Sequence, residues 1–240
     1  MASFSVIIPV YNEARRIPRT LPAILEFFSA GGDNPAEIIF VNDGSTDDTV
    51  AVLKRSDPDG RLFRVVSYLT NRGKGYAVRR GALSATGDYV VFFDIDLATP
   101  LSEFSALRTS ITPADGVVIG SRRLVQSRIE KPQSWVRVFL GQNFTRLSNL
   151  FVPGVTDFTC GFKCFSRAAA SVIFSRARID RWAFDTELLY IAHIHGIPIR
   201  EIPVSWRHDD DSRVRVGGAV LNAAIDLFRM AGNRLMGRYA

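Results

Sequence analysis

The sequence predicts an α/β fold with a mainly parallel central sheet flanked by helices. Short apolar, β-branched segments alternate with helical segments through the first half of the chain, about every 20 residues. A polar residue follows each apolar segment; these residues are Asn12, Asp43, Asn71, Asp94 and Ser121. Because such sheets bind ligands at the carboxyl ends of their strands, these polar residues mark the expected site.

The composition is that of a soluble globular protein. Of 240 residues, 47% are hydrophobic and 22% are charged, which excludes a disordered or coiled-coil chain. The net charge of +6 suggests an anionic partner: a nucleic acid, a membrane surface or a phosphorylated substrate. Two cysteines are too few for a disulfide framework or a four-ligand zinc site. We expect no signal peptide and no transmembrane helix.

Apolar runs and turn residues locate the elements of the first half. Runs rich in Val, Ile and Phe, bounded by Gly, Pro, Asn or Asp, indicate buried strands. The segments between them begin near residues that cap helices, such as Asn12, and carry apolar residues at helical spacing. Strands are predicted at Phe4–Pro9, Glu37–Val41, Leu62–Tyr68, Tyr89–Phe93 and Gly116–Gly120, and helices at Ala14–Phe28, from Ser45 or Thr46 to Arg55, at Tyr76–Ala85 and at Ser102–Ser110.

The second half is less regular, and its elements rest on weaker patterns. Helical spacing of apolar residues indicates four further helices, and two apolar runs indicate strands. The helices are predicted at Trp135–Phe151, Ala168–Phe174, Phe184–His195 and Gly217–Met236, and the strands at Thr159–Phe165 and Ile199–Val204.

Two aspartates follow the predicted strand Tyr89–Phe93. Asp94 and Asp96, with Ile95 between them, place two carboxylates and a backbone carbonyl together at a strand end. Such oxygens suit Mg²⁺ or Mn²⁺ that also binds the phosphates of a nucleotide. The alternative is an ordinary turn, where Asp is common.

Two further turns carry residues suited to a nucleotide. Asp43, at the end of the second strand, could accept the imide N–H of uracil, although Asn-Asp-Gly-Ser is also good turn chemistry. Asn71–Gly75 combines flexible backbone, a cation and a helix N-terminus, which suits a phosphate. Neither a Walker A sequence nor a dinucleotide fingerprint is present.

The order of these motifs resembles that of the family-2 glycosyltransferases, which have the GT-A fold. The resemblance rests on Ser5–Glu13, Asn42–Ser45, Gly73–Gly75 and Asp94–Asp96, in that family's order and spacing. It implies that Asp94 and Asp96 hold Mg²⁺ or Mn²⁺ as a cofactor. It also implies that the nucleotide-sugar donor is held by Pro9, Tyr11, Glu13, Asp43, Lys74 and Asp94.

The second half is similar to the polyprenyl-phosphate hexose synthases, and most similar to those that make dolichyl-phosphate glucose. The segments that carry this likeness are Gly120–Arg122, Asp157–Phe165, Arg181–Ala192, Val204–Trp206 and Ser212–Arg213. The sequence departs from the mannose enzymes by having Ala98 where they place Gln. Arg213 stands where the family often has Lys.

The resemblance assigns roles to charged residues of the second half. It implies that Arg122 and Arg137 bind the acceptor phosphate and that Arg213 closes over the donor diphosphate. Asp96, Asp157 and Glu187 are the expected catalytic residues, although Glu187 also suits a helix start. A lipid phosphate acceptor needs no strong base, because its second pKa is about 6.

Two amphipathic helices are candidates for contact with a membrane. We divide the chain into a glycosyltransferase domain over 1–215 and a C-terminal amphipathic helix over 216–240. Arg interleaves with apolar residues here and in Trp135–Phe151, which suits either a membrane interface or ordinary packing on the core. We therefore expect a peripheral protein at the cytoplasmic face of a membrane.

The resemblance predicts inverting transfer of a hexose, with glucose from UDP-glucose favoured, to a polyprenyl or dolichyl phosphate. The alternatives are transfer of mannose from GDP-mannose, transfer of N-acetylhexosamine from UDP-GlcNAc, and a non-catalytic nucleotide-binding module at a membrane. A nucleic-acid partner is not expected, because the phenylalanines lie in strands and apolar helix faces and not on a stacking surface.

Overall fold

The computed structural model describes residues 2–30, 37–209 and 216–240. Within those residues the chain forms nine strands and eight helices. The strands are β1 (Phe4–Val10), β2 (Glu37–Asp43), β3 (Arg64–Tyr68), β4 (Tyr89–Phe93), β5 (Val117–Ser121), β6 (Arg128–Lys131), β7 (Phe162–Ser166), β8 (Ile199–Pro203) and β9 (Ser205–Arg207). The helices are α1 (Ile17–Ala30), α2 (Thr49–Ser56), α3 (Lys74–Ser84), α4 (Ser102–Ser110), α5 (Trp135–Ser148), α6 (Arg167–Arg176), α7 (Phe184–Ile194) and α8 (Val216–Leu235).

Seven strands form the central sheet, in the order β3-β2-β1-β4-β7-β5-β8. Strand β7 is antiparallel to both of its neighbours, and the other pairs are parallel. The predicted mainly parallel sheet is therefore confirmed. Pro9 lies near the end of the central strand β1, opposite Val41 of β2 and beyond the pairing of β1 with β4, which ends at Ile7.

Side chains alternate between two hydrophobic layers, one on each face of the sheet. In β1, Ile7 packs in one layer, whereas Val6 and Ile8 pack in the other. Helices α3, α6, α7 and α8 contribute to the first layer, and helices α1, α2 and α4 to the second. Burial on both faces explains why the strands are continuous apolar runs.

The structure corrects the predicted start of α2. Ser45 and Thr46 were expected to cap it, but the helix begins at Thr49. Both residues bind Asn12 instead: the Ser45 hydroxyl accepts from the Asn12 N–H at 2.9 Å, and the Thr46 N–H donates to the Asn12 side chain at 2.8 Å. These bonds join the loops that follow β1 and β2.

A second, two-stranded sheet was not predicted. It pairs β6 with β9 in parallel. Both strands are short, and β6 is exposed along its whole length. A strand with no buried face lacks the apolar alternation that sequence patterns detect.

Helix α8 packs on the same core as the sheet. Leu227, Met230 and Tyr239 are buried in the layer that contains α6 and α7. The Tyr239 hydroxyl donates to the Glu187 carboxylate at 2.5 Å, which fastens the end of the chain to α7. The boundary at residues 215 and 216 stays a prediction. In the described part of the chain, no helix is long and apolar enough to cross a membrane.

Tyr239→Phe is expected to lower the free energy of unfolding by about 1–3 kcal/mol, because the buried Glu187 carboxylate loses a hydrogen bond. Urea denaturation measures the difference. Tyr89→Phe is the matched control, since the Tyr89 ring stacks on Phe4 and its hydroxyl has no hydrogen bond among the described residues. Equal effects of the two substitutions would contradict a fastening role for Tyr239.

Candidate active site

The two aspartates after β4 lie beside the N-terminus of α3. The ammonium of Lys74, the first residue of α3, contacts Asp94 Oδ1 at 2.6 Å. Burial alone would lower the pKa of Lys74, but the Asp94 and Asp185 carboxylates raise it above its ordinary value. Lys74 is therefore a charged cation at the carboxyl end of the sheet.

The aspartate pair has the chemistry of a site for a hard cation. Burial raises the pKa of Asp96, and the neighbouring Asp94 carboxylate raises it further. The Ala98 N–H, Lys74 and Arg16 lower the pKa of Asp96 but do not cancel that rise. Two carboxylates that disfavour each other's ionisation are stabilised by a shared divalent cation. Among the described residues, no group of three or more His, Cys, Asp or Glu side chains is placed to hold a metal ion.

A glycine keeps one oxygen of this pair accessible. A Cβ at Gly161 would lie 2.1 Å from Asp94 Oδ2. Any larger residue would push the Asp94 carboxylate out of its position. The segment before β7 therefore approaches Asp94 with bare backbone.

Asp43 organises the loop that leads into Lys74. Its carboxylate accepts hydrogen bonds from the Tyr68 hydroxyl at 2.9 Å, the Asn71 side chain at 2.7 Å, and the backbone N–H groups of Arg72 and Gly73, both at 2.8 Å. These four donors fill the usual capacity of a carboxylate. Asp43 thus holds the loop, and an incoming uracil imide would have to replace one of these donors.

The loop after β1 contributes the other residues predicted to hold the donor. Pro9 is the second-last residue of β1, and the Tyr11 side chain is exposed. The Glu13 carboxylate pairs with Arg16 at 2.5 Å. Arg16 also pairs with Asp209 at 2.7 Å. Arg16 belongs to none of the motifs found in the sequence, so the sequence did not predict this contact. Arg16 thereby connects this loop to the segment that follows β9.

Arg122 and Asp157 form a buried pair at the carboxyl end of β5. Arg122 Nε contacts Asp157 Oδ2 at 2.6 Å, and Nη2 contacts Oδ1 at 2.8 Å and the Thr159 hydroxyl at 2.7 Å. Against its own burial, Asp157 has its pKa lowered to about 2 by Arg122. The described hydrogen bonds of Arg122 leave both Nη1 hydrogens for a ligand.

The segment 157–163 connects the two halves of the site. Asp157 at its start holds Arg122, and Gly161 near its end contacts Asp94. Glu201 of β8 fixes the start of the segment by accepting from the Thr156 N–H at 3.0 Å and the Asp157 N–H at 3.2 Å. The segment thereby contacts both Asp94, a predicted metal ligand, and Arg122, a predicted acceptor residue.

The other predicted arginines have different positions. Arg137 is partly exposed on α5 and lies four residues before Gly141. A Cβ at Gly141 would lie 3.5 Å from the Arg123 guanidinium, and residues four apart share a helix face. Arg137 therefore projects from the side of α5 that packs beside Arg123. Arg213 lies outside the described residues.

A buried ion pair beneath the aspartates was missed by sequence reasoning. Lys163 Nζ contacts Asp185 Oδ1 at 2.5 Å and donates to the Cys160 carbonyl at 2.6 Å. Burial raises the pKa of Asp185, and Lys163 and Lys74 oppose that rise. A single Lys within the apolar strand β7 was the signal, because a buried cation requires an anionic partner.

Glu187 does not fit the predicted catalytic role. Its side chain is fully buried and accepts from the Arg178 N–H at 2.9 Å, the Ile179 N–H at 2.7 Å and the Tyr239 hydroxyl. A carboxylate without an exposed face cannot reach a substrate. Asp157 is also fully buried, and its carboxylate is bound to Arg122.

The sheet, with an aspartate pair at its carboxyl edge, has the arrangement of the GT-A fold. The chain is similar in structure to glucosyl-3-phosphoglycerate synthase from Mycobacterium tuberculosis in complex with UDP, with a TM-score of 0.70 and 21% identity over 96% of this chain and 80% of that one. The same enzyme in complex with Mn²⁺, UDP-glucose and phosphoglyceric acid gives a TM-score of 0.69 at 20% identity, again over 96% and 80% of the two chains. These likenesses confirm the predicted fold.

Sequence comparison identifies the family. The model of "Glycosyl transferase family 2" matches residues 5–174. Dolichyl-phosphate beta-glucosyltransferase from Drosophila melanogaster is 38% identical over 98% of this chain and 76% of its own length. The enzymes of that name from Homo sapiens and Saccharomyces cerevisiae are 36% and 35% identical, over 88% and 98% of this chain and 69% and 76% of their own lengths. The chain belongs to glycosyl transferase family 2, in the group of the dolichyl-phosphate beta-glucosyltransferases, which confirms the predicted family.

Asp157→Asn is expected to lower the free energy of unfolding at pH 7 by about 3 kcal/mol, because Arg122 loses its buried counter-ion. The pKa of Asp157 is about 2 in the folded chain, below its ordinary 3.8. The stabilisation is therefore complete above pH 3.8 and is lost as the pH falls towards 2.

Urea denaturation at several pH values tests this expectation. The difference between the native chain and Asp157→Asn should shrink between about pH 4 and pH 2. Asp59→Asn is the control, because Asp59 is exposed and 3.9 Å from Arg61. A difference that stays constant across this range would contradict an ionised pair.

Proposed function

We propose that this glycosyltransferase transfers glucose from UDP-glucose to dolichyl phosphate or another polyprenyl phosphate, with inversion at the anomeric carbon. The names of its relatives support this substrate pair. The observation that carries the proposal is that Asp157 and Asp185, the buried carboxylates around the aspartate pair, are each bound to a cation of the protein. Neither is placed to act as a base, which favours an acceptor that is already ionised.

The donor half of the site is formed by the loops at the carboxyl ends of β1, β2 and β4. Asp94 and Asp96 would hold Mg²⁺ or Mn²⁺, which supplies positive charge to the departing diphosphate. Lys74 lies against Asp94 and adds a second cation for the same phosphates. Arg213 is proposed to close over the diphosphate, and Pro9, Tyr11 and Glu13 to line the donor.

The acceptor half consists of Arg122 and Arg137. The two free Nη1 hydrogens of Arg122 match two oxygens of a phosphate, which guanidinium groups bind well. Asp157 holds the guanidinium in position from its buried side. Arg137 extends from α5 and would meet the same phosphate from the exposed side.

The proposed reaction is a single in-line displacement. An oxygen of the acceptor phosphate forms a bond to the anomeric carbon as the bond from that carbon to UDP breaks, and UDP leaves with the bonding electrons. A phosphate monoester is already ionised near pH 7, so no proton has to be removed from the attacking oxygen. The site accordingly needs cations to align two anionic substrates, and it offers Lys74, Arg122 and Arg137.

We also propose that α5 contacts the membrane that contains the acceptor. Large apolar side chains are exposed on it, with Trp135 at 79% and Phe139 at 57%. Trp135 and Phe139 are four residues apart and share one side of α5, whereas Arg137 projects from another side, toward Arg123. A helix that laid Trp135 and Phe139 on lipid would therefore hold Arg137 on its protein side, close to the interface. The membrane face is proposed to be the cytoplasmic one.

The donor and acceptor assignment is tested with the purified chain, a short polyprenyl phosphate and Mn²⁺. UDP-glucose, UDP-GlcNAc and GDP-mannose are offered separately, and mass spectrometry detects lipid products. We expect a hexose adduct with UDP-glucose. Asp96→Asn should lower the rate about 100-fold or more, because the departing diphosphate loses a charge that stabilises it.

Two comparisons make this experiment decisive. Asp59→Asn, at an exposed position, should leave the rate unchanged. A product from GDP-mannose alone would establish the mannose alternative, and no product with any donor would favour the non-catalytic module. Full activity of Asp96→Asn in excess chelator would contradict the metal proposal.

Membrane contact is tested by flotation with liposomes that contain phosphatidylglycerol. The double substitution Trp135→Ser, Phe139→Ser is expected to reduce the bound fraction several-fold, because it removes apolar area that would enter the interface. The matched control is Leu62→Ser, Leu83→Ser, at positions 52% and 53% exposed. Equal flotation of the two double variants would show that α5 does not form the contact.

A further inference from the structure

Five arginine side chains converge on one crevice, which shares Asn71 and Arg72 with the predicted phosphate-binding turn but is lined by none of the side chains assigned to the donor or the acceptor. Its volume is about 800 Å³. The β3–α3 loop, the α6–α7 loop, the second half of α8 and the residues after α8 form its walls. We call this surface the arginine crevice, and its guanidinium groups belong to Arg72, Arg178, Arg181, Arg229 and Arg238.

The carboxylates of the crevice do not balance these cations. Asp180 and Asp226 face five guanidinium groups, which leaves a formal excess of three positive charges. Asp180 pairs with Arg72 at 3.2 Å, and Asp226 pairs with Arg229 at 3.1 Å. Asp226 also accepts from the Trp182 N–H at 3.1 Å, so part of its charge serves the α6–α7 loop.

The other three arginines bind neutral oxygens. Arg178 donates to the backbone carbonyls of Ser175, in the last turn of α6, and of Ala177, which follows α6. Arg181 donates to the side chain and carbonyl of Asn71 at 3.3 and 3.4 Å, and Arg238 donates to the Asn233 side chain at 3.0 Å. In the part of the chain that the structure describes, none of the three has an ion pair. Cations that lie close together without carboxylate partners repel one another, which lowers the stability of the folded chain. Their summed positive charge attracts an anion.

The shape of the crevice is set by buried contacts. Tyr239 is buried, and its hydroxyl interacts with the Asn233 side chain at 3.2 Å and with Glu187. Glu187 in turn fixes the backbone N–H groups of Arg178 and Ile179. The buried Glu187 carboxylate therefore holds two walls of the crevice together.

The lining selects a class of ligand. Guanidinium groups that arrive from three segments suit an anion with several oxygens in different directions, such as a phosphate. Ile179 and Met236 add apolar surface next to them. The lining has no aromatic side chain, so it offers no stacking surface to a nucleobase. A volume of about 800 Å³ accommodates a phosphate with an organic group attached.

We propose that the arginine crevice is a second anion site, which binds the phosphate of a phosphate-bearing organic molecule apart from the donor and acceptor sites. The phosphate can belong to a phospholipid headgroup or to a soluble phosphate ester. Leu235 and Phe228, which are 88% and 79% exposed near the crevice on α8, would contact the hydrocarbon of a lipid.

The first test is calorimetric titration with glycerol 3-phosphate in the presence of a chelator. Arg178→Gln, Arg238→Gln should raise the dissociation constant at least tenfold. Arg55→Gln, Arg61→Gln removes the same charge from exposed positions and should bind like the native chain. Lys74→Gln should also retain binding, because Lys74 belongs to the donor site. Circular dichroism checks that each variant is folded.

The second test is flotation of the same variants with vesicles of phosphatidylcholine and phosphatidylglycerol. Selective loss of flotation in Arg178→Gln, Arg238→Gln supports a lipid headgroup as the ligand, and selective loss of glycerol 3-phosphate binding alone supports a soluble ester. The proposal is overturned if the crevice and control double variants behave alike with both probes, or if Lys74→Gln abolishes binding while the crevice variant retains it. Neither test measures glycosyl transfer, so the result does not depend on the proposed function.

Discussion

The architecture of the site depends on keeping charges paired at the carboxyl edge of the sheet, in ion pairs that range from buried to partly exposed. Lys74 pairs with Asp94, Lys163 with Asp185, and Arg122 with Asp157. Each pair joins two elements that are distant in sequence, so the loops cannot separate without exposing an unpaired charge to a poorly solvated environment. Because loss of one partner is costly, these pairs hold the loops in one arrangement.

The segment 157–163 connects these three ion pairs. Asp157 starts it, Lys163 ends it, and between them Gly161 allows the backbone to touch Asp94. The antiparallel strand β7 carries this segment between β4 and β5. The one strand of reversed direction thus brings a loop from the second half of the chain to the aspartate pair of the first half.

The sequence predicted the parts of the structure that follow from local periodicity. Strand β4 and helix α4 have the predicted bounds, because an apolar run and apolar residues at helical spacing, here Phe104 and Leu107, leave a direct pattern. The position of Asp94 and Asp96 followed from the rule for strand ends. The burial of Glu187 could not be predicted from local sequence, because it involves Tyr239, 52 residues later. Contacts between distant segments leave no local pattern, and the exposed strand β6 leaves none either.

The paired carboxylates also limit which acceptors the site can use. A hydroxyl acceptor requires a base, and a buried carboxylate kept unpaired for that purpose would carry a large desolvation cost. Here Asp185 is ion-paired with Lys163, and Asp157 is ion-paired with Arg122. A phosphate acceptor needs no base, because it is already negatively charged. It needs instead exposed cationic side chains that donate hydrogen bonds to it. Arg122 meets both demands, since Nε and Nη2 satisfy Asp157 on the buried side while Nη1 stays available to a ligand. The same ion pairs that stabilise the folded site therefore favour an acceptor that is already an anion.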